Sequence, residues 1–378
     1  TGISLKNATT ANLKELSPTD IYVEKTWNLK GNKANGKPYS QKDIADSHLS
    51  VSETLVNLDF SIHENLKDVI TVNVYATNDL TFGDTLGSYA TSVHSQMPYL
   101  RLNAAEKIMR LSEYNQVAKR YGKQTYQLQD NEYIVIANFG GMIEIRNEAL
   151  KRGTQIELLG KMYLPAHKEC QDVFLTPSAN QSNSGIIVVP DQAINENYKE
   201  KNVLIADYKA TDEVEKQKIE EKVQSLAQHP YAKGLTQLNA STKISIYEGS
   251  VGVGTMVTFI GIYIGVIFLI SSAAILALKE LSESADNKER YMMLRKIGTD
   301  ERMLNKALFT QISLFFIAPL ILAVIHSIFG IEFCKFFLQS FGEENLLPSI
   351  MMTTVFIVII YGGYMLLTYL TSRQMMKE

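Results

Sequence analysis

The 378 residues are 46% hydrophobic and carry 37 basic and 40 acidic side chains, for a formal net charge of -3. A balance this close to neutral leaves no basic footprint for nucleic acid, and the two cysteines, Cys170 and Cys334, are too far apart in sequence for a disulfide framework or a CxxC metal site. The averages hide two unlike halves: 27 basic and 30 acidic residues lie before residue 251, and ten of each follow it around three long uncharged runs.

Residues 1–250 are polar, rich in Lys, Asn, Glu and Tyr, and long enough for one sizeable domain or two small ones. Ile70, Val72 and Val74 alternate with polar residues, as one face of a half-buried strand does. Short β-prone runs follow at Tyr133–Ala137, Gln155–Leu159, Ile186–Val189, Val203–Ala206 and Ile244–Tyr247. Between them, Ser112 is a candidate N-cap for a helix that lines up Tyr114, Val117, Ala118 and Tyr121 and stops at Gly122. A second helix is predicted over Thr211–Gln228, with Val214, Ile219, Val223 and Leu226 as its apolar stripe and Pro230 beyond its end. The mixture predicts an α+β domain. If it has two lobes, the Ser- and Asn-rich loop Ser178–Gly185 marks their junction.

Catalytic signatures are absent from the sequence: no HExxH, GxSxG, GxxxxGK[ST] or Asp-rich calcium loop occurs. His63-Glu64 is an isolated pair, and Gly140-Gly141 lacks a nucleotide-binding pattern. Binding rather than catalysis is the expectation for this half, without a metal or cofactor of its own.

Val251–Leu278, Ala307–Ile331 and Asn345–Ser372 contain no charged residue. At about 1.5 Å rise per residue, each exceeds the roughly 20 residues that cover the apolar core of a bilayer. Three spans are therefore predicted, at about 254–278, 308–330 and 349–371. The connector 279–306 carries Lys279, Lys288, Arg290, Arg295, Lys296, Arg302 and Lys306, and the tail adds Arg373 and Lys377. The second connector, Glu332–Glu344, has only Lys335. Basic residues favour the cytoplasmic side of short loops, which predicts the first connector and the C-terminus inside and residues 1–250 outside. The opening Thr1-Gly2-Ile3-Ser4 offers neither an initiator Met nor an apolar export segment, so an outside domain implies at least one further span upstream.

Gly261 and Gly265 form a GxxxG along which a neighbouring helix can approach closely. The second predicted span holds Gln311, Pro319 and His326, polar or helix-perturbing positions at membrane depth that are candidates for function. No carboxylate lies within the predicted spans, so a proton relay is disfavoured and energy is expected from elsewhere. The connector reads as an extension of the first span over Leu278–Arg290, leading into a short amphipathic helix. There Met292, Leu294 and Ile297 stand among Arg290, Arg295 and Lys296, with Gly298 as its stop and Thr299 as the cap of the next helix. Two uses fit: an interfacial helix with snorkelling cations, or a lever docked into a cytoplasmic partner.

At this segment Glu289-Arg-Tyr-Met-Met-Leu-Arg-Lys-Ile-Gly298 resembles the basic stretch after the exterior domain in permeases of the FtsX/MacB superfamily of ABC transporters. The second span, through Phe315–Pro319 and Val324–Phe329, is most similar to the bacitracin-resistance, or Bce-type, branch. Leu16–Ile21, Leu111–Lys123 and Leu128–Asn138 resemble motifs of that family's exterior domain, so the likeness touches both halves. The resemblance implies a permease subunit that is not itself an enzyme, driven by ATP bound on a partner ABC ATPase that is expected as a dimer. It implies that Lys288, Glu289, Arg290, Leu294, Arg295, Lys296 and Gly298 form the ATPase-coupling loop, and that upstream transmembrane helices complete the permease. It further implies a bacterial cell membrane, resistance to and sensing of bacitracin- or lantibiotic-like peptides bound alone or as a lipid complex, and a membrane histidine kinase as an additional partner. A MacB-like export or lipoprotein-handling permease and an FtsX-type regulator of cell-wall hydrolases share these features and stand as alternatives.

Overall fold

The computed structural model describes residues 13, 15–27, 38–228, 238–338 and 347–376, without the side chains of 251, 253, 254, 257, 258, 333–338, 348 and 349. The expectations on Pro230, Cys334, Lys335 and Lys377 lie outside what is described. Two compact units divide the chain, one over Thr10–Gly249 and one built on Ser250–Glu378.

The N-terminal unit begins with β1 (Ile21–Thr26), α1 (Gln41–Ser47), α2 (Val51–Asn57), α3 (Ile62–Asn65) and β2 (Leu66–Tyr75). It continues through α4 (Phe82–Leu86), α5 (Ala90–Gln96), β3 (Ile108–Arg110), α6 (Leu111–Arg120), β4 (Glu132–Ile136) and α7 (Gly140–Lys151). It closes with β5 (Ile156–Leu158), β6 (Lys161–Pro165), β7 (Ile186–Val189), β8 (Lys199–Tyr208), α8 (Glu213–Gln228) and β9 (Leu238–Thr242). The strands form one mixed sheet in the order β5-β6-β4-β7-β3-β2-β8-β1-β9, with β3–β7 and β4–β6 parallel. This is the α+β class that the sequence predicts. Strands on both sides of the Ser178–Gly185 loop share the sheet, so that loop is not a junction between lobes.

Strand β8 shows why the sheet is covered on both faces. It pairs antiparallel with β1 on one side and β2 on the other, and Asn202–Ala206 are all buried. Its side chains alternate, so Val203 and Ile205 join Tyr22, Val72, Val74, Tyr114 and Val117 in one core, while Leu204 and Ala206 join Ile21, Val23, Val51, Leu55 and Val223 in another. Helix α6 covers the first face, and α2 and α8 cover the second. Lys25 on β1 is only 1% exposed, yet its Nζ donates to the carbonyls of Asp46 and Leu49 at 2.5 and 2.7 Å and to Thr54 Oγ1 at 2.9 Å. Burial pulls its pKa down to about 8.

Several local expectations change. Ser112 lies inside α6 rather than capping it, and its N–H donates to Asp191 Oδ1 at 2.9 Å, a cap supplied from 79 residues away. Gly122 does stop the helix: at φ 66° it lets Lys123 N–H reach Ala118 O at 2.8 Å. Helix α8 starts after Asp212, whose Oδ2 accepts from the N–H groups of Val214 and Glu215. Val214 is 62% exposed, whereas Ile219, Val223 and Leu226 pack inward.

The predicted strand Ile244–Tyr247 is instead the first turn of α9 (Lys243–Asp286). Its β-prone composition yields to a cap. Thr242 Oγ1 accepts from Ser245 N–H at 3.1 Å, and Ser245 Oγ accepts from Thr242 N–H at 3.2 Å. Buried Glu220 fixes that cap by accepting hydrogen bonds from Thr242 Oγ1, the Tyr208 hydroxyl and Gln224 Nε2.

After α9 come α10 (Lys288–Lys296), α11 (Glu301–Leu338, with Pro319 inside) and α12 (Leu347–Met375). Three stretches are long and apolar enough to cross a membrane: Phe259–Asp286, Glu301–Glu332 and Ile350–Met375. The helices meet through Ala273, Leu308, Ile312, Phe316, Tyr361 and Met376, with the Phe316 and Tyr361 rings edge-on at 5.4 Å.

Candidate functional site

The expected continuous extension over Leu278–Arg290 is interrupted. Helix α9 ends at Asp286, Asn287 intervenes, and Lys288–Lys296 forms a separate helix. Asn287 Oδ1 accepts from Arg290 Nη1 at 3.2 Å. At the other end Gly298, at φ 91°, lets its own N–H reach Arg295 O at 3.0 Å and Thr299 N–H reach Leu294 O at 3.1 Å. This is the paired closure that a left-handed residue allows. The cap of α11 is Asp300 rather than Thr299, because the helix starts at Glu301 and Asp300 Oδ1 accepts from Arg302 N–H at 3.3 Å.

The candidate coupling residues divide between two sides of α10. Glu289, Arg290, Leu294 and Lys296 are exposed, as are Met292, Met293 and Ile297. Lys288, Tyr291 and Arg295, three and four residues apart, form the half-buried side, with Tyr291 against the bundle core. Arg295 is held by Glu301 and by the carbonyl of Met376.

Within the bundle, Gln311 Nε2 donates to Glu280 Oε1 at 3.0 Å and lies 3.3 Å from Glu283 Oε1. Glu280 is 1% exposed and lies in the helix that holds the first candidate span, beyond Leu278, so the spans as predicted are still without a carboxylate. The sequence reading ended that span at Leu278. Continuing the helical repeat from Ala273 through Leu276 and Ala277 puts Glu280 and Ser284 on the same inward face. Among the described residues nothing lies within 4 Å of a side-chain position at Gly261 or Gly265, and His326 is exposed. The structure therefore does not bring the GxxxG, His326 and Gln311 together.

The N-terminal unit holds a polar chain that motif reading missed. Asn202 Oδ1 accepts from Val51 N–H, Asn202 Nδ2 donates to Asn73 Oδ1, and Asn73 donates to Glu113 Oε1 from its backbone N–H and its amide at 3.0 and 2.6 Å. Burial pushes the Glu113 carboxyl above the usual carboxylate range, against the pull of the Asn73 bonds. The Tyr75 hydroxyl lies 3.2 Å from Glu196, which also pairs with Arg110 and Lys199 at 2.7 and 2.6 Å. Lys199 sits 4.1 Å from the centre of the Trp27 ring. Isolated polar residues on strands carry no spacing signal, so only their partners reveal this chain.

Sequence comparison finds relatives among transport permeases. The chain is 23% identical over 291 residues to an uncharacterized ABC transporter permease, YvcS, of Bacillus subtilis, covering 75% of this chain and 43% of that protein. It is 32% identical over 123 residues to the bacitracin export permease protein BceB of Bacillus subtilis, covering 32% of this chain and 18% of that one. It is also 32% identical over 120 residues to BceB of Halalkalibacterium halodurans, covering 32% and 18%. No family model matches. The matched stretches span less than half the length of these relatives. The likeness to ABC transporter permeases, Bce-type ones included, agrees with the resemblance read from the sequence.

Proposed function

We propose that this chain is part of the permease subunit of an ABC transporter that acts in resistance to antimicrobial peptides of the bacitracin or lantibiotic kind. The observation that carries the reading is its similarity to bacitracin export permeases in a chain that also holds an α+β unit followed by three apolar helices. On this reading residues 1–250 lie outside the cell membrane and bind the peptide or its lipid complex, while the connector and C-terminus lie in the cytoplasm. A separate ABC ATPase binds and hydrolyses ATP, and the connector receives it through Glu289, Arg290, Leu294 and Lys296 on the exposed face of α10 and Gly298 just after it, with Lys288 at the half-buried side. The histidine kinase partner and the additional transmembrane helices follow from the Bce-type resemblance.

The test is the inhibitory concentration of a panel of bacitracin-like and lantibiotic peptides on a strain lacking the gene, with the intact gene restored as control. Selective hypersensitivity supports the reading and identifies the peptide class. Unchanged sensitivity with altered division or lipoprotein sorting rejects it in favour of the regulator or MacB-like alternative.

A further inference from the structure

Arg295 belongs to the segment expected to couple to the ATPase, yet its side chain is engaged within this chain. It stands on the half-buried side of α10, whereas Arg290 and Lys296 point to the exposed side. Its Nε donates to Glu301 Oε1 at 2.5 Å, its Nη2 to Glu301 Oε2 at 3.4 Å, and its Nη1 to the carbonyl oxygen of Met376. Glu301 is the first residue of α11, and Met376, just past α12, is 5% exposed and part of the bundle core. One guanidinium thus joins three helices. Only a planar fork can serve a carboxylate with two nitrogens and a carbonyl with a third, so a lysine does not substitute. The links on either side of α10 are short, Asn287 before it and residues 297–300 after it, and the clamp opposes pivoting about those ends.

We propose that Arg295 is the positioning residue of the connector: it fixes α10 against the ends of α11 and α12, so that the exposed side is presented to the ATPase, and does not itself touch the ATPase. The proposal rests on the coupling reading above for its second half and on geometry alone for its first.

The test uses the full-length permease in membrane vesicles with its ATPase, comparing wild type with Arg295→Glu, Glu301→Arg and the double swap. The first readout is chymotrypsin cleavage after Tyr291 and Leu294. Each single variant is expected to speed cleavage by about fivefold, and the swap to restore part of the protection, because it rebuilds the 295–301 ion pair but a carboxylate at 295 cannot donate to the Met376 carbonyl. Glu301→Gln, which keeps an acceptor oxygen and loses the charge, is expected to fall between. Wild-type cleavage in Arg295→Glu, or a swap as labile as the single variants, overturns the clamp. The second readout is ATPase activity retained on washed vesicles, expected to fall in each single variant and return in part in the swap. If protection returns in the swap and retention does not, Arg295 is a direct contact and the positioning assignment is overturned. If wild-type vesicles retain no ATPase, the coupling reading fails, and the cleavage rates still decide the clamp.

Discussion

Glu113 shows how a single buried group ties the stability of the N-terminal unit to pH. Its Oε1 collects both Asn73 bonds while Oε2 is buried without a partner among the described residues. The folded-state pKa is raised, so the native state holds the proton more tightly than the unfolded chain. The stabilisation is therefore complete below the unfolded carboxyl value of about 4 and is lost as pH rises through the folded value. Glu113→Gln keeps the acceptor and removes the ionisation. Its melting temperature relative to wild type is expected to rise from acidic toward neutral pH, followed by thermal scans of the chain in detergent micelles. A difference that stays constant across that range would sink the assignment. The Cys170 thiol is pushed up to about 11 by burial, consistent with a packing role for a residue that the sequence reads as unpaired.

At the level of elements, the start of α9 depends on one side chain more than on its own composition. Thr242→Ala removes the hydroxyl that accepts from Ser245 N–H and donates to buried Glu220. A cost of about 1–2 kcal/mol is expected, seen as faster amide hydrogen exchange over the first turn of α9 with little change in the sheet. The same site explains what sequence reading could and could not see. Runs dense in β-branched residues, such as Ile186–Val189 and Val203–Ala206, are strands because they are buried on both faces and need no context. Ile244–Tyr247 has similar local chemistry and became helix, because the Thr242–Ser245 cap and the apolar run behind it outweigh β propensity. Strand β1 went unread because Lys25 interrupts its pattern, and its burial makes sense only once Asp46, Leu49 and Thr54 are known to receive it. The candidate connector was legible from its charges and Gly298. The division that turns Arg295 inward was not, since Met376 is 81 residues away.

For the whole molecule, the sidedness inferred from charge has a direct test. With both native cysteines replaced by serine, Asn197→Cys, exposed in the N-terminal unit, is expected to react with a membrane-impermeant maleimide on intact cells. Lys296→Cys is expected to react only after the cells are opened. Labelling of Lys296→Cys on intact cells would reverse the orientation. The sheet order adds a constraint on how this unit is made. Strand β1, built from residues 21–26, has for neighbours only β8 and β9, which begin at residues 199 and 238. Within this unit its apolar side chains are made well before their partners and wait for nearly the whole unit before they can be paired. Closure over such separations is slow, and until it occurs an unsealed strand is available to the wrong chain. Nascent chains arrested before residue 199 should therefore aggregate or recruit chaperones, and those released after residue 242 should not.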